Sequence, residues 1–229
     1  MFFFYDRTFW LVLLGIALCA IASANVSRTY RIYSKMRNAG GHSAARIAQL
    51  ILEYAGVYDV GVEETHGNLT DHYDPRTKTV YLSEAVYASD SVAAIGVAAH
   101  ECGHAIQDHE GYLALRLRSV LVPVANFGSF LSWPLILIGI LLGSMNLVHF
   151  GILLFSAILV FQMVTLPVEF NASVRALHFL KENAILIGEE ITGARKVLNA
   201  AAMTYVTATL ATALQLLRMF LLFGRRRSD

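Results

Sequence analysis

Long uninterrupted apolar runs, not alternating patterns, organise this chain. A bilayer core about 30 Å thick is crossed by roughly 20 apolar residues in a helix. Three stretches meet that requirement. Residues 8–25 (TFWLVLLGIALCAIASAN) and 120–143 (VLVPVANFGSFLSWPLILIGILLG) contain no charged residue, and 147–166 (LVHFGILLFSAILVFQMVTL) holds only His149 near its start. Residues 144–146 alone separate the second and third, so the two form a tight hairpin. A fourth stretch, 204–223, is interrupted by Thr204, Thr207, Thr212, Gln215 and Arg218, spacings that keep one helical face polar. It fits a helix lying at the interface or against the bundle and, almost as well, a fourth crossing.

The charges around these runs set an orientation. Arg28, Arg31, Lys35 and Arg37 follow the first run, whereas only Arg7, offset by Asp6, precedes it. A secretory signal peptide has the opposite polarity, so despite the small residues Ala22, Ser23 and Ala24 the run is expected to be an uncleaved anchor. Cytoplasmic flanks are enriched in Lys and Arg. That places residues 26–118 inside, in agreement with Arg116 and Arg118, and returns 167–203 to the same side with Arg175, Lys181, Arg195 and Lys196. A fourth crossing would carry Arg225, Arg226 and Arg227 outside. The expected organisation is an anchor (1–25), a polar part (26–118), a transmembrane hairpin (119–166), a second polar part (167–203) and a last hydrophobic or interfacial helix with a basic tail (204–229).

The polar parts together are large enough for a small core. In 44–55, Ile47, Leu50, Ile51 and Tyr54 have the spacing of a helix face, and Gly56 is a natural stop. Residues 57–62 alternate weakly and predict a short strand. A turn-rich patch, 66–75, leads to a second strand at 79–83 (TVYLS). From Asp90 the pattern turns helical to Gln107, with Ser89 or Asp90 as N-cap.

Composition sharpens this picture. The 229 residues are 56% hydrophobic and 15% charged, with a mean hydropathy of +0.53. Soluble domains carry about 25% charged residues. The net charge of +1 excludes a strongly basic nucleic-acid binder, and two cysteines, Cys19 and Cys102, make no disulfide framework. The fold class expected is a mainly α integral membrane protein, in which a small α+β domain with a short sheet accompanies the anchor and the hairpin.

One motif carries chemistry. Residues 100–104 read His-Glu-Cys-Gly-His, and chance predicts on the order of 0.01 such patterns in a chain of this composition. His100 and His104, four apart, share one helical face and can meet one metal ion. Two neutral imidazoles and a carboxylate suit a single Zn2+, with the fourth position left for water. Zinc acidifies that water, and Glu101 is the base that accepts its proton and returns it to the leaving amine of a peptide. Two surface histidines on a helix are the bland alternative. The longer zincin signature would put a third His six residues after His104, but Glu110 stands there. The third ligand is expected to be Glu169, just after Pro167, where a new helix can begin and to which the hairpin returns the chain. Its bland reading is a carboxylate favouring a helix N-terminus. Cys102 faces another side of the helix and is expected to pack. His66, His72, His109 and His178 are expected at the surface or behind the ligands. Arg175, His178 and Tyr205 are candidate oxyanion donors by residue type alone, each residue of this kind being more often structural.

The segments HECGHAIQ, TVYLS, DHYDP and EFNASVRAL resemble the YugP-type neutral zinc metallopeptidases over nearly the whole chain. More remotely, the layout is similar to the HtpX-type membrane metalloproteases. The resemblance implies a zincin-like α+β catalytic domain, zinc ligands at His100, His104 and Glu169, Glu101 as general base, and a bacterial inner membrane with the site facing the cytoplasm. The remote relatives carry an aspartate four residues after the ligand glutamate. Here that position is Ser173, so the support behind the ligands must differ. By the same analogy residues 79–83 are expected to be an edge strand that pairs with extended substrate. The expected function is a membrane-anchored zinc endopeptidase acting on polypeptides, membrane proteins among them. A zinc-binding scaffold without catalysis is the alternative. A transporter is disfavoured by the uncharged spans.

Overall fold

The structure is a computed structural model describing residues 6–67 and 69–224. It contains seven helices and three strands among the described residues: α1 (Phe9–Tyr33), α2 (Ala44–Tyr54), β1 (Gly61–Thr65), β2 (His72–Asp74), β3 (Thr79–Ser83), α3 (Glu84–Tyr87), α4 (Val92–His109), α5 (Leu113–Leu141), α6 (Met145–Glu182) and α7 (Glu189–Phe223). The chain is a mainly α membrane protein: α1, α5, α6 and α7 are each long and apolar enough to cross a bilayer. Two compact units divide it. One comprises 6–23, 117–166 and 203–224 of the described residues, the other 24–116 and 167–202.

The first unit is built from apolar helix segments that bury small or branched residues against one another. Its core gathers Ile136, Val148, Ile152, Phe155 and Met219. The backbones come close where a side chain is missing; a Cβ on Gly15 would lie 3.1 Å from that of Ala211, which brings α1 onto α7. The polar series of 204–223 turns inward or satisfies itself. Thr207 and Thr212 donate their hydroxyls to carbonyls of their own helix, and Arg218, only 3% exposed, pairs with Asp6 at 2.9 Å. His149 lies 3.3 Å from the Phe223 carbonyl, so the end of α7, the beginning of α6 and the residue preceding α1 gather at one end of this unit. The segment left open between an interfacial helix, a helix against the bundle and a crossing therefore runs along the bundle.

The second unit holds the sheet and α2–α4. Ser43 caps α2 by accepting from the Arg46 amide, and Gly56 ends it with a φ of +72° that other residues rarely adopt. Ile47 and Ile51 of the expected face are buried and Leu50 is half-buried, but Tyr54 is exposed and Leu52 is buried instead. The weakly alternating 57–62 is mostly loop; the strand begins at Gly61. Ser91, rather than Ser89 or Asp90, caps α4 through a bond from the Ala94 amide. The run of alanines in α4 (Ala94, Ala98, Ala99, Ala105) lets α2, the sheet and the C-terminal part of α6 pack closely around it, with Val80, Leu82, Ile95, Ala176 and Leu180 completing the core.

The sheet order is β1-β3-β2, with β1 parallel and β2 antiparallel to β3. This corrects one expectation. Thr79–Ser83 is the central strand, its backbone groups engaged on both sides, so it has no free edge for an incoming peptide. Its near-complete burial also accounts for the apolar run TVYL. A second correction concerns Pro167, which lies inside the continuous α6 and starts no new helix.

Two contacts fix α4 within this unit. A Cβ on Gly103 would lie 2.6 Å from the Ala172 carbonyl oxygen of α6, a backbone atom that cannot swing aside. At the other side, Asp108 accepts from Lys78 at 2.6 Å and from the Tyr73 hydroxyl at 2.8 Å, joining α4 to the sheet. Burial raises the pKa of Asp108, but those two bonds outweigh it and hold the carboxyl below its ordinary value.

Gly103→Ala is expected to cost about 1–3 kcal/mol of stability by forcing α4 and α6 apart, measured as a lowered unfolding temperature in detergent; unchanged stability would mean the two helices are not held by this contact. Asp108→Asn is expected to cost about 1 kcal/mol at neutral pH, since the pair is partly screened by solvent. Because the folded pKa is depressed, Asp108 stabilises fully above the ordinary carboxylate range and loses its contribution as pH falls through the folded value. Parallel unfolding of wild type and Asp108→Asn should thus converge in strong acid; a gap independent of pH would contradict the ion pair.

Candidate metal centre

The helical repeat of α4 places His100 and His104 on one side, with their rings edge to face at a centroid distance of 4.8 Å. The side chain facing them comes from α6. Glu169, 2% exposed, points its Oε2 atom to within 3.2 Å of His100 Nε2 and 3.7 Å of His104 Nε2. The close approach at Gly103, between the two histidines, gives the carboxylate this reach. His100, His104 and Glu169 thus form a group able to hold a metal ion, each offering one ligand atom, all within 4.8 Å of one another.

The donor set fits zinc. Four ligands at about 2.0–2.1 Å in a tetrahedron stand roughly 3.3 Å from each other, close to the 3.2 and 3.7 Å separations between the carboxylate oxygen and the imidazole nitrogens. Each imidazole is also held from behind. Ser173 Oγ lies 3.1 Å from His100 Nδ1, and Gln107 Oε1 lies 3.0 Å from His104 Nδ1. Both Nε2 atoms therefore face the carboxylate, with the Nδ1 atoms turned towards protein, the arrangement that orients histidines around a metal. Burial disfavours a charge on His104, but the bond with Glu169 and the charges of Glu101 and Glu169 raise its pKa above the ordinary histidine value.

Other sequence candidates fall into place around this group. Glu101 is half-buried on α4 beside His100. Cys102 is fully buried on another side of the helix, its thiol directed to the Ala48 carbonyl at 3.5 Å and its pKa pushed up by burial. Glu110 bonds Arg175, which also donates to Asn171, so this guanidinium is occupied by positioning contacts. His66, His72, His109 and His178 are exposed. Gln107 and Asn171 were not singled out by motif, although Gln107 lies three residues after His104, the spacing that brings side chains together on a helix. Ser173, noticed only as a departure from the remote relatives, stands behind His100.

Comparison with known proteins agrees with this picture. No solved structure matches the chain. The "Putative membrane protease YugP" of Bacillus subtilis (strain 168) is 46% identical over 220 residues, covering 96% of this chain and 98% of that protein. A family model described as "Putative neutral zinc metallopeptidase" matches residues 8–224, and with nearly the whole chain inside both matches, the protein belongs to that family.

Proposed function

We propose that the protein is a membrane-anchored, zinc-dependent endopeptidase that binds one zinc ion per chain through His100, His104 and Glu169. The convergence of two imidazole Nε2 atoms and one buried carboxylate oxygen, with a second carboxylate next to the first histidine, carries this reading. Zinc bound there supplies Lewis acidity, polarising a peptide carbonyl and making a water acidic near neutral pH. Glu101 accepts the proton of the attacking water and delivers it to the departing amine as the C–N bond breaks. Glu169, His100 and His104 remain fixed, which keeps the attacking oxygen and the carbonyl in register.

The substrates are polypeptides, membrane proteins among them, and the setting is the inner membrane with the centre facing the cytoplasm. Charge supports that orientation. Arg28, Arg31, Lys35, Arg37, Arg116, Arg118, Arg175, Lys181, Arg195 and Lys196 flank one set of span ends. Arg7, Arg218 and the terminal Arg225–Arg227 flank the other, and Arg218 is neutralised by Asp6.

Glu101→Gln is expected to keep zinc, because this residue is not a ligand, and to lower peptide hydrolysis by about 10²–10⁴-fold. Glu169→Ala is expected to lose most of its zinc. Metal content of detergent-purified protein and cleavage of an unfolded polypeptide read the two effects. Full activity in Glu101→Gln would leave a structural zinc in a scaffold, and stoichiometric zinc in Glu169→Ala would remove the third ligand. A cysteine replacing Asn146 at the hairpin turn should react with an impermeant maleimide from outside intact cells. Labelling only after the membrane is opened would reverse the orientation.

A further inference from the structure

The two imidazoles at the centre are held from behind by different means, and the difference is written in donors and acceptors. Gln107 is wholly buried. Its amide nitrogen donates to the Val168 carbonyl at 2.9 Å and to Asn171 Oδ1 at 2.9 Å. A backbone carbonyl only accepts, so the nitrogen of this amide must face α6 and its oxygen must face His104. That oxygen, which carries lone pairs and no hydrogen, stands 3.0 Å from His104 Nδ1. The proton of the neutral ring therefore sits on Nδ1, and the lone pair sits on Nε2, the atom that faces Glu169.

The orientation of Asn171 follows from the same inventory. Arg175 has donors only; its Nε donates to Asn171 Oδ1 at 2.7 Å, and its terminal nitrogen pairs with Glu110 at 2.7 Å. Asn171 must then present its oxygen to both Arg175 and Gln107. By contrast, the Ser173 hydroxyl behind His100 can donate or accept, and dictates nothing.

We infer that Gln107 is a positioning residue that fixes the Nδ1–H tautomer of His104, and that Asn171, Arg175 and Glu110 form a relay holding Gln107 in that orientation. The inference rests on the reading of His104 as a metal ligand and deepens it. His104 is preset to keep its proton on Nδ1 and to leave Nε2 as the nitrogen for a metal, whereas His100 is left to choose its tautomer when the metal binds. Ligand preorganisation of this kind strengthens binding because the ring need not turn and Nδ1 keeps its proton at the moment of capture.

The test uses the full chain in detergent, stripped of metal and titrated with Zn2+ against a chromophoric chelator, with the Co2+ visible spectrum as a second readout of ligand geometry. Gln107→Leu is expected to weaken Zn2+ binding by about 10–100-fold and to alter the Co2+ bands. Asn171 separates positioning from packing. Asn171→Asp keeps the acceptor oxygen and should bind Zn2+ within about threefold of wild type, while the similarly sized Asn171→Leu should lose affinity as Gln107→Leu does. Wild-type affinity and an unchanged Co2+ spectrum in a folded Gln107→Leu would overturn the relay. Should that variant fail to fold, equal affinities in Asn171→Asp and Asn171→Leu would overturn it. His104→Ala distinguishes the two levels: loss of zinc there without loss in Gln107→Leu sinks the relay alone, and retention of zinc there sinks the metal-centre reading together with the relay.

Discussion

The geometry of the centre depends on a backbone contact. Gly103 lies between the two histidines of α4, and the Ala172 carbonyl of α6 occupies the space where a side chain would be. Helices separated by ordinary side chains pack 8–10 Å apart. The missing Cβ lets α4 and α6 approach more closely, and a side chain as short as glutamate can then place one oxygen against two imidazoles. The contact also explains why Glu169 tolerates burial. A lone carboxylate removed from water is costly, and the two rings brought to it by the same approach compensate that cost. Separating the helices by even a methyl group would lengthen both contacts together.

Much of this was legible in the sequence, for reasons specific to each element. The membrane spans stand out because apolar runs of that length have few soluble explanations. His100 and His104 stand out because a spacing of four is a statement about one face of a helix. Glu169 was legible only through topology, since a hairpin of two spans returns the chain to the side it left. What the sequence did not resolve was pairing. Residues 79–83 look the same whether the strand is central or at an edge, because alternation and apolarity report which faces are buried and say nothing of which edges are bonded. β1 and β2, polar and partly exposed, gave weak signals, and it is their pairing with β3 that removes the free edge. Pro167 misled locally: proline often opens a helix, yet α6 continues through it.

The membrane unit illustrates a similar ambiguity. A polar stripe on 204–223 suggested contact with water or headgroups. In the structure its Thr207 and Thr212 bond to their own helix and its arginine meets Asp6, so much of a stripe that looks amphipathic on a helical wheel is satisfied within the protein. Hydropathy patterns count polar side chains without asking who receives their hydrogen bonds. The distinction between a helix that lies on a membrane and one that crosses it turns on those partners.

The placement of Cys102 bears on which ions the centre meets. Read along the chain, residues 100–104 present a thiol between two imidazoles, a combination attractive to soft ions such as monovalent copper. The helix removes that option. It turns Cys102 away from both imidazoles into the core, where burial keeps the thiol protonated and its hydrogen points to the Ala48 carbonyl. The same five residues thus carry a thiol and two imidazoles along the chain, but only the imidazoles face Glu169 once the helix forms. Helix formation thus decides which side chains of the motif a bound ion could reach, and it leaves the thiol outside that set.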